Sequence, residues 1–279
     1  MLFPIFYGFI APDIASIRQF SAVDTAIDLA VKLDAQLSVA IGALQISVPN
    51  VLGSGTVQGL ISNENKRSID SAATAREQIV DAARSSGLTV HTEILTGNLD
   101  QIKSRCANRA RVHGMVFAEA GLSGELLGGV LIEALLFEGG RPLFVVPNGY
   151  SSEIKMDRIM IAWDGSPSAA RAVWDSIPVL RLAKTIEIVT VVGEKHLNDV
   201  PAADTLAPML SYLGKTVEVT ALPYAAKTTA GLIKQHAKNV GAGLVVQGAY
   251  GRSRWSELIL GGVTREMLRD CTMPVLMSH

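Results

Sequence analysis

Short runs of β-branched and aliphatic residues alternate along this chain with segments of about 10–15 residues in which apolar positions recur at helical spacing. In the second half the pattern predicts strands at Arg158–Trp163, Thr185–Val192, Thr216–Leu222, Gly243–Gln247 and Pro274–Ser278. Helices are predicted between them at Ser168–Leu182, Ala202–Leu213, Thr228–Val240 and Ser253–Arg269. Strictly alternating strands and helices imply βαβ units wound around a parallel sheet.

The first half repeats this order. Met1–Pro12 reads as a first core strand, because it lacks a basic leader and contains two prolines. Helix Ala22–Leu33, strand Gln36–Ile41, a long helix Glu64–Ser86, strand Leu88–Leu95, helix Leu99–Arg111 and strand Met115–Ala118 follow. A buried-face helix over Leu122–Phe137 and strand Leu143–Val146 complete it. Gly114-Met115-Val116-Phe117 parallels Gly243-Leu244-Val245-Val246, and Leu127-Gly128-Gly129-Val130 parallels Leu260-Gly261-Gly262-Val263. The expected fold is α/β: two tandem, doubly wound, parallel five-stranded sheets of Rossmann-like form, one in residues 1–150 and one in 151–279. Val51–Thr56 is expected to be an inserted loop.

Composition narrows the function. The 279 residues carry 25 basic and 26 acidic side chains, so no strong field draws nucleic acid or an anionic membrane. Arg105, Arg109 and Arg111 fall on one helix and read as a solvated face. No apolar stretch reaches the length of a membrane span, about 18–20 residues. Two cysteines, Cys106 and Cys271, and five scattered histidines show no metal-ligand spacing. This fits a reducing, cytoplasmic setting. Known catalytic spacings (GxxxxGK[ST], GxSxG, HExxH) are missing from the chain, and no catalytic residue is assigned.

The chemistry-bearing stretch is Val246 to Thr264. It reads as a buried strand, a glycine turn and a helix start. Glycines there let a ligand approach the backbone, and a strand turning into a helix aims free N–H groups at one spot, which suits phosphate. Gly248, Gly251 and, after nine further residues, Gly261 set the spacing. Upstream, Ile159 to Ala162 lead through Trp163 into Asp164-Gly165-Ser166 at a strand exit. In an open parallel sheet, ligands bind beyond the carboxyl ends of the strands.

Together, the spacing Gly-x-x-Gly-(nine residues)-Gly, the Asp-Gly-Ser strand end and the closing Met273-Pro274-Val275-Leu276-Met277 resemble the universal stress protein family. The resemblance covers residues 157–279 closely and the first half loosely. It implies an adenine nucleotide α-hydrolase-like fold and ATP as ligand, with Mg²⁺ as a candidate companion. By position it implies that Asp164 contacts the nucleoside and Val191 lines the adenine pocket. Gly248, Gly251 and Gly261 would admit the phosphates, with Gly262, Val263 and Thr264 following at the helix. It also implies a stress-response regulator, dimeric through its last strand; a tandem chain can satisfy that pairing within itself as a pseudo-dimer, with a homodimer of such chains also open.

This sequence departs from the family pattern at Gly262, where a Ser or Thr hydroxyl is usual. A hydrogen bond to a charged group contributes about 1.5–3 kcal/mol, and Arg252 or Arg254 are candidates to replace it. Plainer readings stand beside the functional ones. Asp164 to Pro167 is also a good helix cap. Gly261-Gly262 also suits tight packing, since Gly128-Gly129 recurs in the first half.

In the first half Glu119 stands at the Gly248 position and Leu122 at the Gly251 position, while Asp13 matches Asp164 poorly. Charge and bulk at those places argue against a polyanion there. Three functions follow for the chain: a nucleotide-binding regulator, a nucleotide-free interaction scaffold, or a slow ATPase.

Overall fold

The computed structural model describes residues 5–10, 21–47, 55–120, 124–150, 153–193, 202–224, 228–249, 262–269 and 271–279. Contacts divide the chain into two units, one of Met1–Arg141 with Asn148–Tyr150, the other of Pro142–Pro147 with Ser151–His279.

The first unit contains β1 (Ile5–Ile10), α1 (Ser21–Lys32), β2 (Leu37–Leu44), α2 (Gly55–Ser85), β3 (Val90–Gly97), α3 (Leu99–Ala110), β4 (Met115–Ala120) and α4 (Gly124–Phe137). Its sheet runs β3-β2-β1-β4 with every pair parallel. α1 buries Ala22, Ala26, Leu29 and Ala30, one face at helical spacing. α3 opens on a capping box, in which Gln101 N–H donates to the Asn98 side chain at 2.9 Å and Asn98 N–H donates back to the Gln101 side chain at 3.1 Å.

The second unit begins with β5 (Leu143–Pro147). It continues through β6 (Arg158–Ala162), α5 (Pro167–Asp175), α6 (Ile177–Leu180), β7 (Thr185–Val192), α7 (Ala203–Ser211), β8 (Thr216–Pro223), α8 (Thr229–Val240), β9 (Leu244–Gly248), α9 (Gly262–Arg269) and β10 (Val275–Ser278). The order is β5-β10-β9-β6-β7-β8. All these pairs are parallel except β5 with β10, which is antiparallel with Phe144 opposite Leu276. β6, β7, β9 and β10 form the core of this sheet, with Ile159 to Ile161, Ile186, Ile188, Val189, Leu244 to Val246 and Val275 to Met277 buried.

The α/β architecture of alternating strands and helices is as the sequence predicts, and three details differ. The helix expected over Ser168–Leu182 is two helices, α5 and α6. Pro178 has no N–H to continue the ladder, and Ser176 turns its hydroxyl back to the Val173 carbonyl at 2.8 Å. α2 starts nine residues earlier than expected, so Gly55 and Thr56 are helical, while Val51–Ser54 lie outside the described residues. Its first turns are almost entirely exposed, and burial begins only at Ser71. The third is the sheets: where two parallel sheets of five strands are expected, among the described residues the first unit has four strands and the second six, because Leu143–Pro147 packs with the second unit and pairs antiparallel to Val275–Ser278. The part of the predicted last helix before Gly262 lies outside the described residues.

The arginines of α3 and its C-cap, Arg111, are exposed, yet each has a partner. Arg109 forms a bidentate pair with Glu93 at 2.8 and 2.9 Å, and Arg105 and Arg111 donate to the Thr96 and Glu138 carbonyls. Both cysteines are free thiols, Cys106 buried on α3. Among the described residues no helix is long and apolar enough to cross a membrane.

Candidate functional site

Three neighbouring strands of the second unit bring Asp164, Val191 and Gly248 to one edge. β6 lies between β9 and β7, with Ala162 opposite Gln247 on one side and Val189 on the other. Asp164 therefore leaves β6 between the ends of β9, at Gly248, and of β7, near Val191. Asp164 is exposed and Val191 half-buried.

Local chemistry fixes the turn. Gly165 takes φ 70°, a left-handed conformation that a side chain disfavours. Asp164 Oδ1 accepts the Ser166 N–H at 3.0 Å. Ser166 then caps α5, its hydroxyl accepting the Ala169 N–H at 3.2 Å, with Pro167 in the first turn. Asp164 thus has a structural task, and the residue is exposed.

Gly248 has a structural task too. A Cβ there would stand 2.5 Å from the Ala169 backbone nitrogen and 2.7 Å from the Ser168 hydroxyl. The missing side chain lets α5 descend onto the end of β9. Gly262, at the start of α9, is exposed with nothing within 4 Å of an added Cβ. The first amides of α9 have no partner within the helix. Val263 is half-buried and Thr264 is buried. α9 is tied to α8 through Glu266, whose carboxylate takes the Thr228 hydroxyl and whose carbonyl takes Lys234 Nζ at 2.7 Å. Gly251, Gly261, Arg252 and Arg254 lie outside the described residues.

One residue escaped the sequence reading. Gln247 is only 4% exposed, and neither its Oε1 nor its Nε2 has a hydrogen-bond partner. The available signal was a polar residue ending an apolar strand.

Strand register places the first-unit counterparts. Ile5 pairs with Met115 as Ile159 pairs with Leu244. Counting along, Ile10 answers Asp164, Ala118 answers Gln247 and Glu119 answers Gly248. Asp13 lies outside the described residues, as does Leu122, and the register gives the Asp164 place to an apolar residue. Glu119 is 3% exposed, and its Oε2 accepts the Ala22 N–H at 3.2 Å, at the first turn of α1. Burial pushes its carboxyl up to about 7, against the Ala22 hydrogen bond and with help from Asp24. Burial likewise raises the Tyr7 phenol, aided by Glu119 and then Asp24. Where the second unit closes strand on helix with a glycine, the first inserts a carboxyl group.

At the opposite end of the second sheet, Glu187 of β7 is 2% exposed and holds a polar cluster. It accepts from Thr220 at 2.8 Å and pairs with His236 of α8 at 2.6 Å and Arg158 at 3.1 Å. Burial acts to raise its carboxyl, but bonds from His236 and Thr220 and the charges of His236 and Arg158 leave it lowered. Among the described residues no group of three or more His, Cys, Asp or Glu is placed to hold a metal ion.

Comparison with known proteins follows the same division. Residues 155–279 match the universal stress protein family model. A universal stress protein from Archaeoglobus fulgidus DSM 4304 superposes with a TM-score of 0.72 at 13% identity, over 99% of this chain and 97% of that one. A functionally unknown protein from Pseudomonas aeruginosa PAO1 gives 0.60 at 13%, over 99% and 92%. The cytoplasmic domain of a prokaryotic cation chloride cotransporter gives 0.52 at 10%, over 99% and 95%. No curated protein matches this chain as a relative in sequence. The structural likenesses establish a shared fold across the whole chain, and residues 155–279 form a domain of the universal stress protein family.

Proposed function

We propose that the second unit binds an adenine nucleotide, ATP with Mg²⁺, across the carboxyl ends of β7, β6 and β9, and that occupancy regulates a stress response in the cytoplasm. The observation that carries this reading is the position of Asp164. Its exposed carboxylate stands between the β9 and β7 exits, in the one unit whose sequence has the spacing Gly248, Gly251, Gly261. The base lies toward Val191, the nucleoside against Asp164, and the phosphates toward Gly248, Gly251, Gly261 and the amides of Gly262, Val263 and Thr264. A ligand that binds only the folded unit stabilises it by mass action, which gives the nucleotide its leverage over conformation or association. β5 pairs with β10, which supports the reading that last-strand pairing is made within one chain. Slow hydrolysis of the bound nucleotide is a lesser reading that no side chain here specifically favours.

One observation favours the nucleotide-free scaffold. Gly248 is explained by the approach of α5, and Asp164 by the Ser166 turn, without any ligand. Two substitutions separate the readings. Asp164→Asn keeps an oxygen for Ser166 and removes the charge; Gly251→Leu copies the first unit. Calorimetric titration with MgATP is expected to show binding by the parent and a loss of at least about tenfold in Gly251→Leu. Equal affinity in parent, Asp164→Asn and Gly251→Leu would overturn this placement of the nucleotide, and no binding by the parent at millimolar MgATP would favour the scaffold.

A further inference from the structure

We infer that Gln247 reads the sugar of the bound nucleotide, an inference that rests on the binding mode proposed above. Gln247 is the penultimate residue of β9 and is 4% exposed, yet its carboxamide oxygen and nitrogen both lack partners. Native interiors rarely leave both ends of an amide unmet, and such a group calls for a functional account. Its register neighbours offer nothing: Ala162 in β6 and Met277 in β10 have no polar hydrogen-bonding group suited to it.

Register also fixes the face. Met160 pairs with both Glu187 and Val245, so Gln247, two residues on from Val245, shares the face from which Glu187 reaches His236 of α8. Gly248 points the other way, toward α5. The amide therefore lies on the helix α8 side of the β6–β9 seam, at the strand end. A nucleotide with its base toward Val191 and its phosphates toward Gly248 passes its sugar over that seam.

The chemistry matches a sugar better than a phosphate, and position separates it from the base, which lies toward Val191. A phosphate takes donors only, and the carboxamide oxygen would oppose it. A ribose diol both donates and accepts, as an amide does. The first unit, where Ile10 and Glu119 replace Asp164 and Gly248, has the buried apolar Ala118 at this position, 2% exposed. The unpaired amide thus occurs only in the unit that has the rest of the site.

The test compares ATP with 2′,3′-dideoxy-ATP on the full chain, wild type and Gln247→Met. Methionine keeps the length and removes both polar atoms. The wild type is expected to prefer ATP by about tenfold, and Gln247→Met to bind ATP about tenfold more weakly with little preference left. The ligand-free variant is expected to melt higher than the wild type, because the unpaired amide is gone. An unchanged preference in Gln247→Met overturns the inference even if ATP affinity falls. If the wild type binds ATP and the variant binds it equally well, only this inference fails. If neither binds at millimolar concentration, the nucleotide site fails and this inference with it.

Discussion

The Glu119 carboxylate accepts the Ala22 N–H at 3.2 Å, and so caps α1 from the end of a neighbouring strand. Its counterpart Gly248 lets α5 approach the same relative place directly, within 2.5 Å of where a Cβ would be. The two units solve one packing problem differently. The first closes it with a buried carboxyl group, and the second leaves a strand end beside an exposed aspartate.

This difference has a pH signature. The Glu119 carboxyl titrates near 7 in the folded unit and near 4.5 when unfolded. A raised folded value means that its stabilising contribution is whole below about pH 4.5 and declines as pH rises toward 7. Glu119→Gln retains an acceptor for Ala22 and cannot ionise. At pH 8 the variant is expected to be more stable by about 3 kcal/mol, with the gap closing by pH 4.5. Denaturant titrations of both proteins at several pH values check this; parallel profiles would contradict it.

Gly248→Ala tests the glycine as a packing device. The added carbon meets the backbone of α5, which has no side-chain freedom to yield. A loss of about 1–3 kcal/mol is expected, read as a lower melting temperature without ligand. A neutral effect would mean that α5 moves freely and that Gly248 serves a ligand alone.

Glu187 anchors the far end of the same sheet. Glu187→Ala leaves His236 and Thr220 without their buried acceptor, while Arg158 keeps Glu218, and a cost of about 1–3 kcal/mol is expected. Because its folded carboxyl is lowered, its contribution is whole above about 4.5 and is lost as pH falls through the folded value. The difference between wild type and variant is therefore expected to shrink in acid. Denaturation at pH 7 and pH 3 measures it, and an equal difference at both would refute the assignment.

Much of this was legible in the chain. The β-branched run Ile186 to Val192 and the glycine-bounded strand at Leu244–Gly248 mark their elements without ambiguity. Leu143–Pro147 and Val275–Ser278 were legible as strands but not in direction. A wholly buried apolar run carries no mark of parallel or antiparallel pairing, so the resemblance implied last-strand pairing but the antiparallel direction of β5 on β10 came only from the structure. Pro178 did announce the break between α5 and α6, but the apolar spacing around it continued past it. Glu119 read as a charge that repels phosphate; its burial against a helix start depends on contacts 97 residues apart. Gln247 read as a strand end because unmet hydrogen bonds leave no trace in a sequence.

The central claim is one nucleotide site per chain, in the second unit. Calorimetric titration of ligand-free protein with MgATP measures it most directly, with the fluorescence of Trp163, one residue before Asp164, as a second signal. Saturation at one equivalent is the predicted result. Two equivalents, or no binding at millimolar ATP, would contradict it.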